Sequence, residues 1–259
     1  MYDVAVAGGG LIGLAVAWRA AQRGLSVTVA DDALGAGASF AAAGMLAPVS
    51  EAAYGEERLL ELCRASLERF PAFAAEVEQA AGVDVGLRTA GTLAVGFDDD
   101  DMAAVDALHV FHRELGLAAE RLTSRESRRR EPALTPRVRG GLYVAGDHSV
   151  DARALHAGLL AAAQSAGVRV VPARVASVWA SGGRACGVRL AGGGEVAAGT
   201  VVLARGAWSA TLPGVRRCRC GRSRDRSCGC GARPACSAAP SGRSSAADRS
   251  TWCRTRRMA

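Results

Sequence analysis

The sequence predicts an α/β fold: a parallel sheet flanked by helices. Three observations predict it. Residues 2–30 read as strand, glycine-rich turn, helix and strand, a unit of about thirty residues that generates a parallel sheet. Strands then alternate with amphipathic helices as far as Ala204. Hydrophobic residues make up 49% of the 259, so a sizeable core can form.

The elements follow in order. "YDVAVA" is short, apolar and β-prone, and "GGGLIG" follows it directly. An Ala-rich apolar helix runs from Leu11 to about Gln22, closed by Gly24, and "LSVTVA" supplies the second strand. Small residues fill "GAGASFAAAGMLAP". Leu59, Cys63, Leu67, Phe70, Ala74 and Val77 then step by four and three, an amphipathic helix that Pro71 is expected to kink or break. "AGTLAVGF" reads as a strand, and "DDDDMAAVDALHVFHREL" as a helix with its acids at the positive N-terminal end. "RGGLYVA" is a further strand; Ala152 to Ala166 is helical, with Leu155, Leu159 and Ala163 on one face. "VRVVPARVASVWA" and "ACGVRLAGGGEVAAGTVVLA" close the ordered pattern as strands, the second pair joined by a glycine-rich turn. Beyond Val215 there is no Leu, Ile, Val or Phe, and such a stretch cannot bury enough apolar surface to offset chain entropy.

Charge and cysteine content divide at the same place. The net charge is +7, yet residues 215–259 carry 12 Arg against 2 Asp, which leaves the first 214 residues mildly acidic. The basic balance therefore gives the body no nucleic-acid or anionic-membrane character. Six of the eight cysteines also lie beyond residue 215. Cys63 and Cys186 read as small buried hydrophobes, which implies no disulfide framework and suits a reducing compartment. The apolar run from Val4 to Trp18 lacks a basic n-region and is rich in glycine, so it does not read as a signal peptide. No run reaches the ~18 residues of a membrane helix, and a soluble cytoplasmic protein is expected. All 32 basic residues are Arg, consistent with a GC-rich coding sequence.

The motif with chemical content is Gly8-Gly9-Gly10-Leu11-Ile12-Gly13, which fits G-x-G-x-x-G between a strand and a helix. Gly8 permits the tight turn, Gly10 lets backbone approach a pyrophosphate, and Gly13 lets helix pack closely on strand. The helix N-terminus offers free N–H groups and a positive dipole end. Asp31 ends the second strand, where a carboxylate can accept from ribose hydroxyls and would repel a 2′-phosphate. The bland alternative is an ordinary βα turn with a solvated Asp31. The turn alone does not separate NAD from FAD. The layout that follows, a small-residue loop and a long helix before strands return, suits a flavin dinucleotide lying across the domain.

With "VAGGGLIGLAVAWRAAQRGLSVTVAD", "ASFAAAGMLAPVSEA", "REPAL", "GLYVAGDHSVDARAL" and "TVVLARGAWS", residues 1–214 resemble the glycine oxidase branch of the D-amino-acid oxidase family, a flavoprotein branch linked to thiamine biosynthesis. The Ala-Ala-Ala-Gly-Met-Leu run is the most specific of these stretches. The resemblance implies an FAD-binding Rossmann-like parallel sheet with an incomplete α+β substrate domain. Residues 1–85 and 150–214 would form the FAD-binding domain in two parts, residues 86–149 the first part of the substrate domain, and residues 215–259 an out-of-frame, disordered tail.

The resemblance also implies noncovalent FAD with Leu11 and Ile12 touching it from the turn. Asp31 and Asp32 would stand near the adenosine ribose, and Ser39, Ala43, Gly44 and Met45 would line the path to the flavin ring. Val175 would meet the adenine through its backbone, and Gly206 would pass close to the cofactor. Asp31 stands where a Glu is more usual, and Arg205 where a small residue is common. The implied reaction oxidises glycine or a similar small amine. A hydride passes from the α-carbon to the flavin, the imine hydrolyses, and oxygen takes the electrons to give peroxide. The cation holding the substrate carboxylate is expected in the C-terminal half of the family fold, beyond this chain. Partners are therefore a small amino acid and oxygen, with no nucleic acid, no membrane and no metal, in a family-type homo-oligomer. A sarcosine or D-amino-acid oxidase or dehydrogenase, or a non-catalytic dinucleotide-binding protein with a basic tail, are the alternatives.

Three readings compete for the tail. A zinc module on Cys218, Cys220, Cys228, Cys230, Cys236 and Cys253 would rest on C-x-C pairs rather than C-x-x-C knuckles. A disordered basic arm for nucleic acid or membrane has Trp252 as its one aromatic residue. The favoured reading is a shifted frame: codons compatible with residues 215–230, read two bases later, give PPLPVRPVKGQIVRL, which restores apolar residues and resembles the family segment after "GAWS". On that reading the chain as written binds FAD poorly and lacks oxidase activity, and apolar faces at Leu93, Val95, Leu142 and Val144 are left open to aggregate. Elsewhere His109 and His112, three apart on one helix, read as a surface or half-buried pair. Asp98 to Asp101 read as a helix start, and Arg128 to Arg130 as a solvated turn. His148 and Asp151 read either as loop structure or as part of a substrate mouth.

Overall fold

The computed structural model describes residues 1–215 and the backbone of 251–253. Along the chain run β1 (Tyr2–Ala7), α1 (Leu11–Gln22), β2 (Val27–Ala30), α2 (Ala38–Ala41), β3 (Met45–Leu46), α3 (Glu57–Ala81), β4 (Thr92–Gly96), α4 (Asp99–Glu114), β5 (Glu120–Thr123) and α5 (Ser124–Arg130). There follow β6 (Gly140–Val144), β7 (His148–Ser149), α6 (Ala152–Ser165), β8 (Arg169–Val171), β9 (Val175–Ser181), β10 (Arg184–Leu190), β11 (Glu195–Leu203), a 3-10 helix (Gly206–Thr211) and β12 (Thr251–Cys253). The described residues divide into two compact units, one of 1–44, 70–87 and 150–215, the other of 45–69, 88–149 and 251–253.

The first unit is built on a six-stranded sheet in the order β8-β2-β1-β11-β10-β9. Four strands are parallel: Val4 of β1 stands opposite Val27 of β2 and Thr200 of β11, and Val29 of β2 opposite Val170 of β8. The parallel sheet expected from the opening βαβ unit is thus present, extended by an antiparallel arm of β9 and β10. A short glycine-rich loop joins β10 to β11, and so short a link can only return the chain antiparallel. β11 serves both regions. Its first residues pair with β10, and Ala198 to Leu203 pair with β1.

β1 and β2 are buried along nearly their whole length, as parallel strands covered on both faces must be. Helices α1 and α6 pack together, burying Leu14, Ala17 and Trp18 of the one and Leu155, Leu159, Ala162 and Ala163 of the other. Trp18 meets Phe73 with the rings tilted and their centroids 5.9 Å apart, and the Arg19 guanidinium lies over the Trp18 ring while pairing with Glu76. Helix α3 runs unbroken through Pro71. The proline has no N–H to donate, but the turns that follow it bury Ala74 and Val77.

The second unit carries the antiparallel sheet β12-β4-β6-β5 and the two-stranded pair β3-β7. Contrary to the exposed faces expected at Leu93, Val95, Leu142 and Val144, all four are no more than 4% exposed. Leu93 and Val95 pack with Leu122, Leu134 and Val138 on one face, while Leu142 packs with Ala94 and with Val105 of α4 on the other. Arg128 to Arg130 form the last turn of α5 rather than an irregular turn. A capping box starts that helix: Thr123 Oγ1 accepts from Glu126 N, and the Glu126 carboxylate accepts from Thr123 N. Arg130 ends it, over the Tyr143 ring and 2.5 Å from Glu120. Asp98 caps α4, its carboxylate accepting from Asp101 N at 2.8 Å. Among the described residues no helix is long and apolar enough to cross a membrane. Apart from Thr251–Cys253, whose backbone pairs with β4, the tail expected at 215–259 lies outside the described residues beyond Val215.

Candidate functional site

The carboxyl ends of β1, β2 and β11 lie side by side, with Ala7, Ala30 and Leu203 in register. Such an edge, where neighbouring connections leave in different directions, is where open α/β sheets bind ligands. The turn after β1 opens there. Gly8 adopts φ +112°, outside the range of ordinary residues, and a Cβ on it would lie 2.5 Å from the Ala204 carbonyl oxygen. A Cβ on Gly13 would sit 1.9 Å from the Gly8 carbonyl oxygen, so α1 packs on β1 at a distance that no side chain permits.

The backbone N–H groups of this turn divide into two sets. Gly8 donates to Ala30 O at 3.0 Å, Gly9 to the Asp31 carboxylate at 2.6 Å and Leu11 to Ser39 Oγ at 3.1 Å. The N–H groups of Gly10 and Ile12 find no acceptor among the described residues. They stand at the N-terminus of α1, where the helix dipole favours negative charge, and Gly10 caps the helix with no side-chain bond of its own. Ile12 is 72% exposed, which leaves the first turn open. The arrangement can hold an anion through backbone alone.

The other residues singled out in the sequence divide between the units. Asp31 follows β2 directly, and its second carboxylate oxygen accepts from Ala33 N at 2.7 Å, so its local task is to tie β2 to the glycine turn. Asp32 is exposed beside it. Ser39 opens onto the same turn through Leu11. Ala43 is half-buried, and the Gly44 carbonyl accepts from Val150 N at 2.8 Å, joining this loop to the start of α6. Met45 belongs to the second unit, where it pairs with Ser149. Val175 is buried with Ala7 and Ala30, the last residues of β1 and β2. Arg205 places its backbone N 3.1 Å from where a Gly8 Cβ would be and donates to Ser209 Oγ, which sets Gly206 at the head of the 3-10 helix.

Sequence reasoning missed His156. Its Nε2 lies 2.8 Å from the Gly9 carbonyl oxygen. No local pattern announces it, because 147 residues separate the partners. His112, expected at the surface or half-buried, is completely buried, and neither ring nitrogen has a partner within hydrogen-bond distance among the described residues. Burial holds it below the ordinary histidine value, with the neighbouring Val49 backbone and the Asp147 charge opposing and His109 assisting. Asp147 is buried too and is pushed above the ordinary carboxylate range by desolvation, although it accepts from Ser50 N at 2.9 Å and Val49 N at 3.2 Å. Asp151 caps α6 through Arg153 N and Ala154 N, and His148 pairs with Leu46 in β7.

The sequence pattern described as FAD dependent oxidoreductase, the DAO family, matches residues 3–223. The chain is 35% identical over 214 residues to the glycine oxidase of Geobacillus kaustophilus, covering 82% of this chain and 56% of that protein. It is 33% identical over 213 residues to the bifunctional protein ThiO/ThiG of a Synechocystis species, covering 81% of this chain and 30% of that one. The Geobacillus glycine oxidase structure superimposes with a TM-score of 0.76 over 82% of this chain and 57% of its own. That of Bacillus cereus glycine oxidase, 31% identical, gives 0.75 with the same coverage. The chain thus spans little more than half the length of the glycine oxidases it matches. With the family pattern running through β1, the glycine turn and β11, the chain belongs to the DAO family of FAD-dependent oxidoreductases.

Proposed function

We propose that this chain carries the dinucleotide-binding part of an FAD-dependent oxidase acting on glycine or a similarly small amine. One observation carries the reading: the N–H groups of Gly10 and Ile12 at the head of α1, unpaired among the described residues, beside the joined ends of β1, β2 and β11. The residues present fit FAD. A pyrophosphate can approach the Gly10 backbone, and the Ser39 hydroxyl, which accepts from Leu11, keeps its own proton to donate. The Asp31 carboxylate retains lone pairs for ribose hydroxyls beyond those used on Gly9 and Ala33. Residues 1–85 and 150–214 make the FAD-binding domain on this reading, and 86–149 begin the substrate domain; the compact grouping of 1–44, 70–87 and 150–215 supports it except at 45–69, which group with the second unit. Among the described residues Cys63 and Cys186 form no disulfide, which suits a cytoplasmic protein.

Bound FAD would supply the hydride acceptor and hand its electrons to oxygen. The chain's own contribution is placement. Gly8 and Gly13 bring α1 close to β1, the α1 amides and Ser39 hold the phosphates, and Asp31 orients the ribose. The glycine substrate rests on the similarity to glycine oxidases. The test is reconstitution with FAD, followed by anaerobic addition of glycine, sarcosine and D-alanine in parallel and then peroxide measurement in air. One equivalent of bound flavin supports the reading against the poor binding that a shifted frame implies, and bleaching of that flavin by glycine would further contradict the inactivity expected of the chain as written. Failure to bind FAD overturns it, and bleaching by another amine alone reassigns the substrate.

A further inference from the structure

We propose that His156 is a positioning residue for the phosphate-binding turn: by holding the Gly9 carbonyl, it aims the Gly10 N–H at the cofactor phosphates. The inference rests on the reading of that turn as the FAD pyrophosphate site. Gly8, Gly9 and Gly10 are consecutive, so the peptide groups between them have no Cβ to set their orientation and can turn over at low cost. A dependable anion site needs those peptides fixed from outside.

Two side chains do this. The Asp31 carboxylate takes the Gly9 N–H and fixes the peptide between Gly8 and Gly9. The His156 ring lies 2.8 Å from the Gly9 oxygen and fixes the peptide between Gly9 and Gly10. A carbonyl can only accept, so Nε2 carries the proton and donates. In a planar trans peptide the C=O and the following N–H point in opposite directions. Holding the Gly9 oxygen toward α6 therefore turns the Gly10 N–H away from α6, and that group finds no acceptor among the described residues. The ring itself is seated on the loop after β2. A Cβ on Gly35 would lie 2.6–2.8 Å from three of its atoms, so the imidazole rests against bare backbone there. His156 thus links α6, the loop after β2 and the glycine turn, and none of these contacts is to the phosphate itself.

The experiment compares ADP with adenosine by calorimetric titration of the wild-type chain, His156→Leu and His156→Gln. The ligands differ in the diphosphate that the turn would hold. Leucine removes the donor, and the Gln amide nitrogen can reach the place of Nε2. We expect His156→Leu to lose at least tenfold in ADP affinity with less than twofold change for adenosine, and His156→Gln to return ADP binding to within threefold of wild type. Unchanged ADP binding in His156→Leu overturns the inference. So does equal loss of ADP and adenosine without rescue by Gln, which marks a structural role. Should His156→Leu fail to fold by thermal unfolding, His156→Asn, whose amide is too short to reach Gly9, takes its place with the same two outcomes. A wild-type chain that binds adenosine and ADP equally, or neither, overturns the pyrophosphate reading beneath the inference, whatever the variants do.

Discussion

The Asp31 carboxylate accepts the Gly9 N–H at 2.6 Å, tying the end of β2 to the turn that follows β1. The same carboxylate accepts from Ala33 N, so one side chain satisfies two backbone donors in a stretch where the chain reverses. Hydrogen bonds to a charged acceptor contribute about 1.5–3 kcal/mol each. Asp31→Ala is therefore expected to destabilise the fold by about 2 kcal/mol and to weaken FAD binding at least tenfold. Urea unfolding with and without FAD measures both. An unchanged midpoint in the absence of FAD would show that the carboxylate does not organise the turn.

Gly13→Ala tests the close approach of α1 to β1. The added methyl would meet the Gly8 carbonyl oxygen, which is backbone and cannot swing aside. Overpacking of this kind costs about 1–3 kcal/mol, and here the shift must move either the helix or the turn. A lowered Tm together with loss of flavin retention on purification is expected. Gly24→Ala is the control, since nothing lies within 4 Å of its added Cβ; its φ of +80° alone predicts a smaller loss of about 1 kcal/mol without effect on flavin.

Acid should destabilise the second unit through His112. Its folded value lies below the unfolded value of about 6.5, so on acidification the unfolded chain takes up the proton first. Stability is complete above that value and is lost as pH falls below it. Asp147 acts with the opposite sign, since its raised value means that stability falls as pH rises through it. Because each of these charges acts on the other, the comparison is made in Asp147→Asn, where the carboxylate no longer titrates. Comparing unfolding at about pH 7.5 and about pH 5.5, Asp147→Asn is expected to lose more stability than Asp147→Asn with His112→Leu. Equal losses would show that His112 charges freely in the folded state.

Leu142→Ala tests whether the sheet of the second unit is closed on both faces. Leu142 is 1% exposed against Ala94 and Val105, so truncation should cost about 2–5 kcal/mol. Leu62→Ala, at a position 68% exposed on α3, should change stability by less than about 0.5 kcal/mol. Similar small effects at both positions would mean that the apolar face of β6 is open.

What could be read from the sequence was whatever repeats locally. β1, α1 and β2 announce themselves through an apolar run, a glycine turn and a second apolar run, and the acidic start of α4 through Asp98 to Asp101. Helix α5 was hidden because "SRESRRR" has no apolar stripe; the Thr123-x-x-Glu126 pair was the available signal. The two-residue strands β3 and β7 are too short to show a period of two. Closure of the β4–β6 faces depends on Leu134, Val138 and Val105, which no single window of sequence places beside them. The same holds within the site. The spacing of Gly8, Gly10 and Gly13 is a local pattern, whereas the clamps from Ser39 and His156 are made by tertiary structure.

The central claim is that bare backbone at the head of α1 holds the diphosphate of a flavin nucleotide. The most direct measurement is titration of FAD with the purified chain, followed by flavin fluorescence, with ADP as competitor and Gly10→Val as the variant; valine's Cβ alone would come within 2.9 Å of Ser39 Oγ. The account predicts saturation at one equivalent, displacement by ADP, and at least a tenfold loss in Gly10→Val. Flavin that does not saturate, that ADP leaves in place, or that Gly10→Val binds as well as wild type would contradict it.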